Sequence, residues 1–163
     1  MDAVETHWTT YASPIGELTL IARGGRLRGV RFPGGPALEP GLRQPAEFAN
    51  AKRQLDGYFA GRRREFDLAL ELEGTDFQRA VWAELREVPF GTTVSYGELA
   101  ARLGLREPEA ARDVGTAVGQ TPVPIVVPCH RVVGANGDLV GYGGGLERKR
   151  ALLDLESSQL ALL

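Results

Sequence analysis

VSYGELAARLGLREPEAARDVGTAVG, residues 94–119, is the stretch on which the reading of the fold turns. Ser95, followed three places later by Glu98, makes a capping box that starts a helix. Gly104 closes that helix after about two turns. Pro108 then sits near the start of another helix, and Ala111, Val114 and Val118 recur on one face of it. A short helix, a turn and a second helix form a helix-turn-helix. Many helical domains contain one, so the stretch establishes a motif and not yet a function.

Working outward, Thr75 and Gln78 make an earlier capping box, and Phe77, Val81 and Leu85 fall on one stripe of the helix behind it, which Pro89-Phe90-Gly91 ends. Downstream, the β-branched run Ile125-Val126-Val127 is interrupted by Pro128. Val132-Val133 and Leu139-Val140 flank Asn136-Gly137, a dipeptide suited to a hairpin turn. The glycine-rich loop Gly141 to Gly145 and a final helix from Leu146 to Glu156 follow. A helix-turn-helix with a hairpin behind it has the order of a winged helix.

The first part of the chain reads differently. Thr6 to Ala12, Leu18 to Ile21 and Leu27 to Phe32 are strand-like runs separated by Ser13-Pro14-Ile15-Gly16 and Gly24-Gly25, as in a β-meander. Residues 33–45 hold four prolines and three glycines and read as a loop. Phe48, Ala51, Leu55, Tyr58 and Phe59 have helical spacing up to Gly61. Phe66, Leu68 and Leu70 alternate as on a half-buried strand. Glu71 to Gly74 reads as a linker, which divides the chain into domains over 1–74 and 75–163 and makes the fold class α+β.

Composition narrows the functional classes. With 43% hydrophobic and 25% charged residues the chain has an ordinary globular make-up. No apolar run reaches the roughly 20 residues of a membrane span, and Met1-Asp2-Ala3-Val4-Glu5 is unlike a signal peptide, so the expected location is intracellular, in the cytoplasm. The net charge is −2, and the part after residue 75 carries 9 basic and 11 acidic residues. That balance speaks against tight nonspecific binding to nucleic acid, which is mostly an effect of positive charge. The chain has a single cysteine, Cys129, so an internal disulfide and a multi-cysteine zinc site are excluded.

A lone thiol is either a small buried hydrophobe or a reactive group, and Pro128-Cys129-His130-Arg131 bears on that choice. Proline ends strand pairing at the position where the thiol emerges. A cysteine attacks as thiolate, and His130 could accept its proton directly or through water. Arg131 could add positive field or anchor the loop to a carboxylate. Neighbouring side chains on a strand point to opposite faces, so Cys129 and His130 meet only if the backbone turns between them.

With this segment in its context, the chain closely resembles the O6-alkylguanine-DNA alkyltransferases, also called methylated-DNA–protein-cysteine methyltransferases. The resemblance is strong over about 76–156, through Val94-Ser95-Tyr96, Ala110-Ala111-Arg112-Asp113-Val114-Gly115, Pro122 to Val133, Gly141-Tyr142-Gly143-Gly144-Gly145, and the helix with Lys149 and Glu156. It is weaker over the N-terminal strands. It implies a ribonuclease-H-like α/β domain followed by a winged helix-turn-helix domain. It also implies irreversible, single-turnover transfer of the alkyl group of O6-alkylguanine, and of O4-alkylthymine, in DNA to Cys129.

The resemblance further assigns roles to residues. A chain of Glu156, His130, water and Cys129 would draw off the thiol proton. Tyr96 would donate to guanine N3 as the purine leaves. The carbonyls of Cys129 and Val132 would accept from the exocyclic amine, the Gly143 amide would reach O6, and Tyr142 would wall the alkyl pocket. Lys149 would shield the acid or contact the pocket loop. Arg112 would be the finger that fills the duplex when the base is flipped into the protein, and Ala110, Ala111 and Gly115 would give its helix a slim face in the minor groove of double-stranded DNA. The protein is expected to act as a monomer, with cooperative binding along DNA left open, and without a cofactor. Some family members carry zinc in the N-terminal domain; with no cysteine outside Cys129, no metal is expected here. The family usually has Asn where this chain has Thr121, so the family's hinge bonding is not carried over to that position.

Overall fold

The structure, a computed structural model, describes residues 5–35 and 41–161. The first four residues, read above as unlike a signal peptide, and 36–40 of the proline-rich loop lie outside the described residues. The chain divides into two compact units, Met1–Glu73 and Gly74–Leu163.

In the first unit, β1 (Thr6–Ser13), β2 (Gly16–Arg23) and β3 (Arg26–Arg31) form the expected meander. β1 and β2 pair antiparallel from Thr6↔Arg23 to Ser13↔Gly16. Between β2 and β3, Gly24 and Gly25 both have positive φ, 57° and 76°, the conformation a tight hairpin turn demands and glycine supplies without steric cost. A short β4 (Leu42–Arg43) joins β1 in parallel, so the sheet order is β3-β2-β1-β4. α1 (Ala49–Phe59) buries Ala51, Leu55 and Tyr58, and Phe48 just before it is buried too. Leu18, Leu20 and Val30 supply buried side chains from β2 and β3.

The segment expected as a strand at Phe66, Leu68 and Leu70 is extended but is not one. Its burial alternates as predicted, yet it meets β3 only at a parallel bridge between Leu27 and Leu70. There Leu27 N donates to Ala69 O at 2.9 Å and Glu71 N donates to Leu27 O at 3.0 Å. Its other backbone partner is a side chain. Buried Gln54 of α1 donates from Nε2 to Asp67 O at 2.9 Å and accepts from Asp67 N at 2.8 Å. One amide thus does locally what a neighbouring strand would do, and a ladder cannot extend from it.

The second unit is mostly helical. α2 (Asp76–Leu85) has the complete capping box, with Thr75 accepting from Gln78 N and Gln78 accepting from Thr75 N. Val81 and Leu85 are buried as predicted, but Phe77 is 40% exposed. The buried place goes instead to Trp82, one position round the helix, whose Nε1–H donates to the Ala117 carbonyl at 2.9 Å. α3 (Tyr96–Arg102) is capped by Ser95 Oγ, which accepts from Glu98 N at 3.0 Å; the reciprocal bond of a full capping box is not formed. α4 (Ala110–Gly119) begins two residues after Pro108 and buries Ala110, Val114, Ala117 and Val118. α3 and α4 are the helix-turn-helix.

Two further expectations change. Ile125-Val126-Val127 is a tight turn rather than a strand: Val127 N donates to Val123 O at 2.9 Å, and Ile125 takes φ 75°. That value is a rarity for a β-branched residue. The hairpin behind the cysteine also fails to form as a ladder. The chain does reverse, with Gly137 N donating to Gly134 O at 2.9 Å and Gly134 N to Asp138 O at 2.8 Å. But β6 (Val132–Val133) pairs in parallel with β5 (Val94–Ser95), which takes the place expected for Leu139-Val140. α5 (Leu146–Ala161) continues past Glu156.

Gln54→Leu keeps the side chain's bulk and removes both bonds to Asp67. Asp67 is itself exposed, so water can recover part of the loss, and the expected decrease in stability is about 1 kcal/mol, the low end for an unpaired backbone group. Urea unfolding of variant and parent measures it; equal midpoints would show that the segment needs no anchor.

Candidate active site

The cysteine segment is built from two successive tight turns. Pro128, with φ −80° and ψ 62°, forms an inverse γ-turn in which Cys129 N donates to Val127 O at 2.7 Å. Cys129–Arg131 then makes one turn of 3-10 helix, with Arg131 N donating to Pro128 O at 3.0 Å. This is the coiling that an extended strand lacks, and it takes the Cys129 and His130 side chains out of strict alternation. β6 follows at once. Because β6 pairs with β5, and Tyr96 directly follows β5, the same two-strand contact fixes Tyr96 against the cysteine segment.

Behind the thiol lies a buried polar cluster. His130 is fully buried and its Nε2 lies 2.6 Å from Glu156 Oε2. Arg131 donates twice to the same carboxylate, Nε to Oε1 at 2.8 Å and Nη2 to Oε2 at 3.0 Å, while its Nη1 donates to the Val88 carbonyl at 2.7 Å. Gly91 N adds a fourth donor to Oε1 at 3.2 Å. Burial alone would raise the Glu156 pKa, but hydrogen bonds from His130 and Arg131 and the positive charge of Arg131 outweigh it and hold the carboxyl well below the usual range. The carboxylate is therefore ionised and can only accept, so the proton of neutral His130 sits on Nε2. Burial, helped by the charges of Arg131 and Lys149, keeps His130 below its ordinary value despite the pull of Glu156. Nδ1 is left as a bare acceptor, buried and without a partner among the described residues.

Cys129 is 6% exposed, and burial pushes its thiol up to about 11. The nearby hydroxyls of Thr121 and Tyr142 and the charge of Lys149 act in the other direction. The resting group is a thiol that needs a base.

The remaining expected residues fall into two sets. Tyr142, Lys149 and Tyr96 gather with Cys129. Lys149, 1% exposed, donates to the carbonyls of Val140 at 3.0 Å and Gly141 at 3.2 Å, which selects contact with the pocket loop over shielding of the acid. The Tyr96 hydroxyl donates to the same Val140 carbonyl at 3.1 Å. Val132 is buried in β6, and Gly143 is exposed with open space where a side chain would stand. On α4, Arg112 is exposed and Ala111 half-buried, whereas Ala110 faces the core. Gly115 lies against Tyr96: a Cβ there would meet the ring at 3.4 Å. One participant was left open by the sequence reading and another escaped it. Arg131 had been left between a field role and an anchor role, and the structure makes it an anchor. Gly91 carried no signal beyond ending a helix, because its link to Glu156 spans 65 residues.

The chain matches two family profiles, 6-O-methylguanine DNA methyltransferase, ribonuclease-like domain, over residues 6–72 and 6-O-methylguanine DNA methyltransferase, DNA binding domain, over residues 76–158. It belongs to the methylated-DNA–protein-cysteine methyltransferases. The methyltransferase of Mycobacterium tuberculosis is 50% identical over 156 residues, spanning 94% of this chain and 93% of that protein. That of Methanosarcina acetivorans is 43% identical over 156 residues, spanning 93% and 99%. The crystal structure of Mycobacterium tuberculosis OGT in complex with DNA superposes with a TM-score of 0.89 at 50% identity, covering 94% of each chain. The family thus accounts for both units: a ribonuclease-like domain and a DNA-binding domain that carries the cysteine.

In this methyltransferase Glu156→Gln leaves Arg131 buried without its anion, and the expected loss is about 3–5 kcal/mol at neutral pH. Because the Glu156 pKa is lowered on folding, its contribution is fully present above the ordinary value of 4.5 and is lost as pH falls through the lower folded value. The stability gap between parent and variant should therefore narrow below about pH 4.5. Denaturant midpoints across acid pH test this, and a gap independent of pH would refute it.

Proposed function

We propose that this protein repairs alkylated DNA by moving the alkyl group from O6 of guanine in the duplex to Cys129 Sγ, once per molecule. The observation that carries the reading is a buried thiol next to a buried neutral histidine whose one free acceptor, Nδ1, has its tautomer set by Glu156. The thiol proton passes through water to Nδ1, Sγ attacks the alkyl carbon, and that carbon's bond to O6 breaks. A proton donated toward N3 by Tyr96 stabilises the purine as it leaves. Tyr96 must first give up the Val140 carbonyl, which keeps Lys149 as its donor. In the same reading the carbonyls of Cys129 and Val132 accept from the exocyclic amine, the Gly143 amide reaches O6, and Tyr142 bounds the alkyl group. O4-alkylthymine offers the same ether carbon and is the second substrate.

DNA enters by the minor groove along α4, with the damaged nucleotide flipped out and exposed Arg112 in its place. Ala111 and Gly115 keep that helix face slim, and Ala110 supports it from the core side. The near-neutral charge implies modest affinity that falls with salt. The protein works as a monomer in the cytoplasm, and the thioether it forms is permanent because its carbon–sulfur bond is chemically stable.

With excess duplex containing O6-methylguanine, the transferred methyl should level off at one per protein, and mass spectrometry should find the net gain of one CH2 on the Cys129 peptide. Continued turnover, or a methyl group elsewhere, would sink the reading. Arg112→Ala should slow repair of duplex far more than transfer from free O6-benzylguanine, which needs no flipping. Equal slowing on both substrates would make Arg112 a structural residue.

A further inference from the structure

A cavity of about 370 Å3 opens between α2 and α4, within the size range of small-molecule sites, and none of the residues around Cys129 lines it. Phe77 forms an aromatic wall and is 40% exposed. The polar groups of the lining have fixed roles. Gln78 Oε1 accepts from Thr75 N at 2.8 Å, and Gln78 Nε2 donates to Gln120 Oε1 at 2.6 Å. That second bond decides which end of the Gln120 amide is oxygen, so its Nε2 is left to donate. Thr116 Oγ1 donates its hydrogen to Arg112 O at 3.1 Å and can only accept from a ligand. The Asp113 carboxylate, an acceptor, makes no hydrogen bond or ion pair among the described residues. Along α4 the cavity thus offers acceptor, acceptor and donor, at Asp113, Thr116 and Gln120.

One DNA base carries the complement. The Watson–Crick edge of guanine runs from its exocyclic amine and N1–H, both donors, to O6, an acceptor; no other DNA base has two adjacent donors before an acceptor. We propose that this cavity is a second base site, which takes an unpaired, unmodified guanine stacked on Phe77, its amine and N1–H donating to Asp113 and Thr116 and its O6 accepting from Gln120. Asp113 and Gln120 stand two helical turns apart, about 10.5 Å along the axis, and the two side chains with their hydrogen bonds span the remainder of that distance around a purine edge. The selectivity is the reverse of that proposed for Cys129. Alkylation at O6 strips the hydrogen from N1 and sets an acceptor against an acceptor. The guanine can be a free nucleoside or part of single-stranded DNA, since both present the same edge and the same ring to stack. The assignment uses no part of the transfer chemistry and stands apart from the repair reading.

Calorimetric titration of the full chain with guanosine, adenosine and O6-methylguanosine tests it. Guanosine should bind about tenfold more tightly than the other two, because each of them leaves a polar group of the site unpaired. Asp113→Asn and Phe77→Ala change exposed side chains and should each weaken guanosine about tenfold. Transfer from free O6-benzylguanine, measured in the same variants, should stay at the parent's rate. A fall in that transfer together with the loss of guanosine would place the nucleoside at Cys129 and overturn the proposal. Single-stranded oligothymidylate with and without one central guanine separates the two sources. A gain from that guanine which Asp113→Asn abolishes assigns the site to the strand; guanosine bound with no such gain assigns it to the free nucleoside. Equal affinity for guanosine and adenosine, parental guanosine affinity in Asp113→Asn, or no binding of either guanosine or the guanine oligonucleotide overturns the proposal. A parent that binds guanosine as expected but takes no methyl group from damaged duplex would refute the repair reading and leave the base site standing.

Discussion

Everything at the cysteine depends on one buried carboxylate. Glu156 accepts from His130, twice from Arg131 and from the Gly91 amide, so both of its oxygens are satisfied in a place that water does not reach. A buried ion pair is weak evidence for stability, because desolvating the charges offsets most of their attraction. What this one does is geometric. It joins α5, the cysteine turn and the loop after α2 at a single point, and it dictates which nitrogen of His130 carries the proton. A pair of apolar residues could fill the same volume but could not set a tautomer.

The turn before His130 is the second constraint. The inverse γ-turn at Pro128 and the single 3-10 turn after it reverse the pleat of the chain at the thiol. The unusual φ of Ile125 lies in the turn just upstream, where the segment is buried from Val123 to Val133. Dense packing on every side holds a conformation that an isolated β-branched residue would leave. Parallel pairing of β5 with β6 then carries this local shape to Tyr96, and Gly115 sets α4 against the Tyr96 ring. The helix expected to meet DNA and the nucleophile are therefore coupled through a few short contacts rather than through a flexible loop.

Much of this was legible in the residues. Glycine pairs, capping residues and the spacing of Val81, Leu85, Val114 and Val118 are local signals, because turn sterics and helical periodicity act over a few positions, and they located the meander, α2, α3 and α4. Pro-Cys-His-Arg drew notice to the cysteine for the same reason, and the resemblance to a family implied that it reacts. Local pattern misled where the partner was remote. Alternation at Phe66, Leu68 and Leu70 signals one buried face, but cannot tell a neighbouring strand from the Gln54 amide. Val132-Val133 with Asn136-Gly137 signals a reversal, but cannot show that Val94 competes for the pairing.

The sequence by itself located the meander and the helices and singled out the one cysteine, since these rest on residue type and short spacing, while the class of chemistry came from the resemblance of its motifs to a family. Only the tertiary structure decided what the charged residues do. Arg131 could as well have projected a field as bound a carboxylate, and Lys149 could have shielded the acid as well as held the loop. Those choices depend on burial, because only out of water does a charge have to find a particular partner, and burial is a property of the packed chain and not of any segment of it.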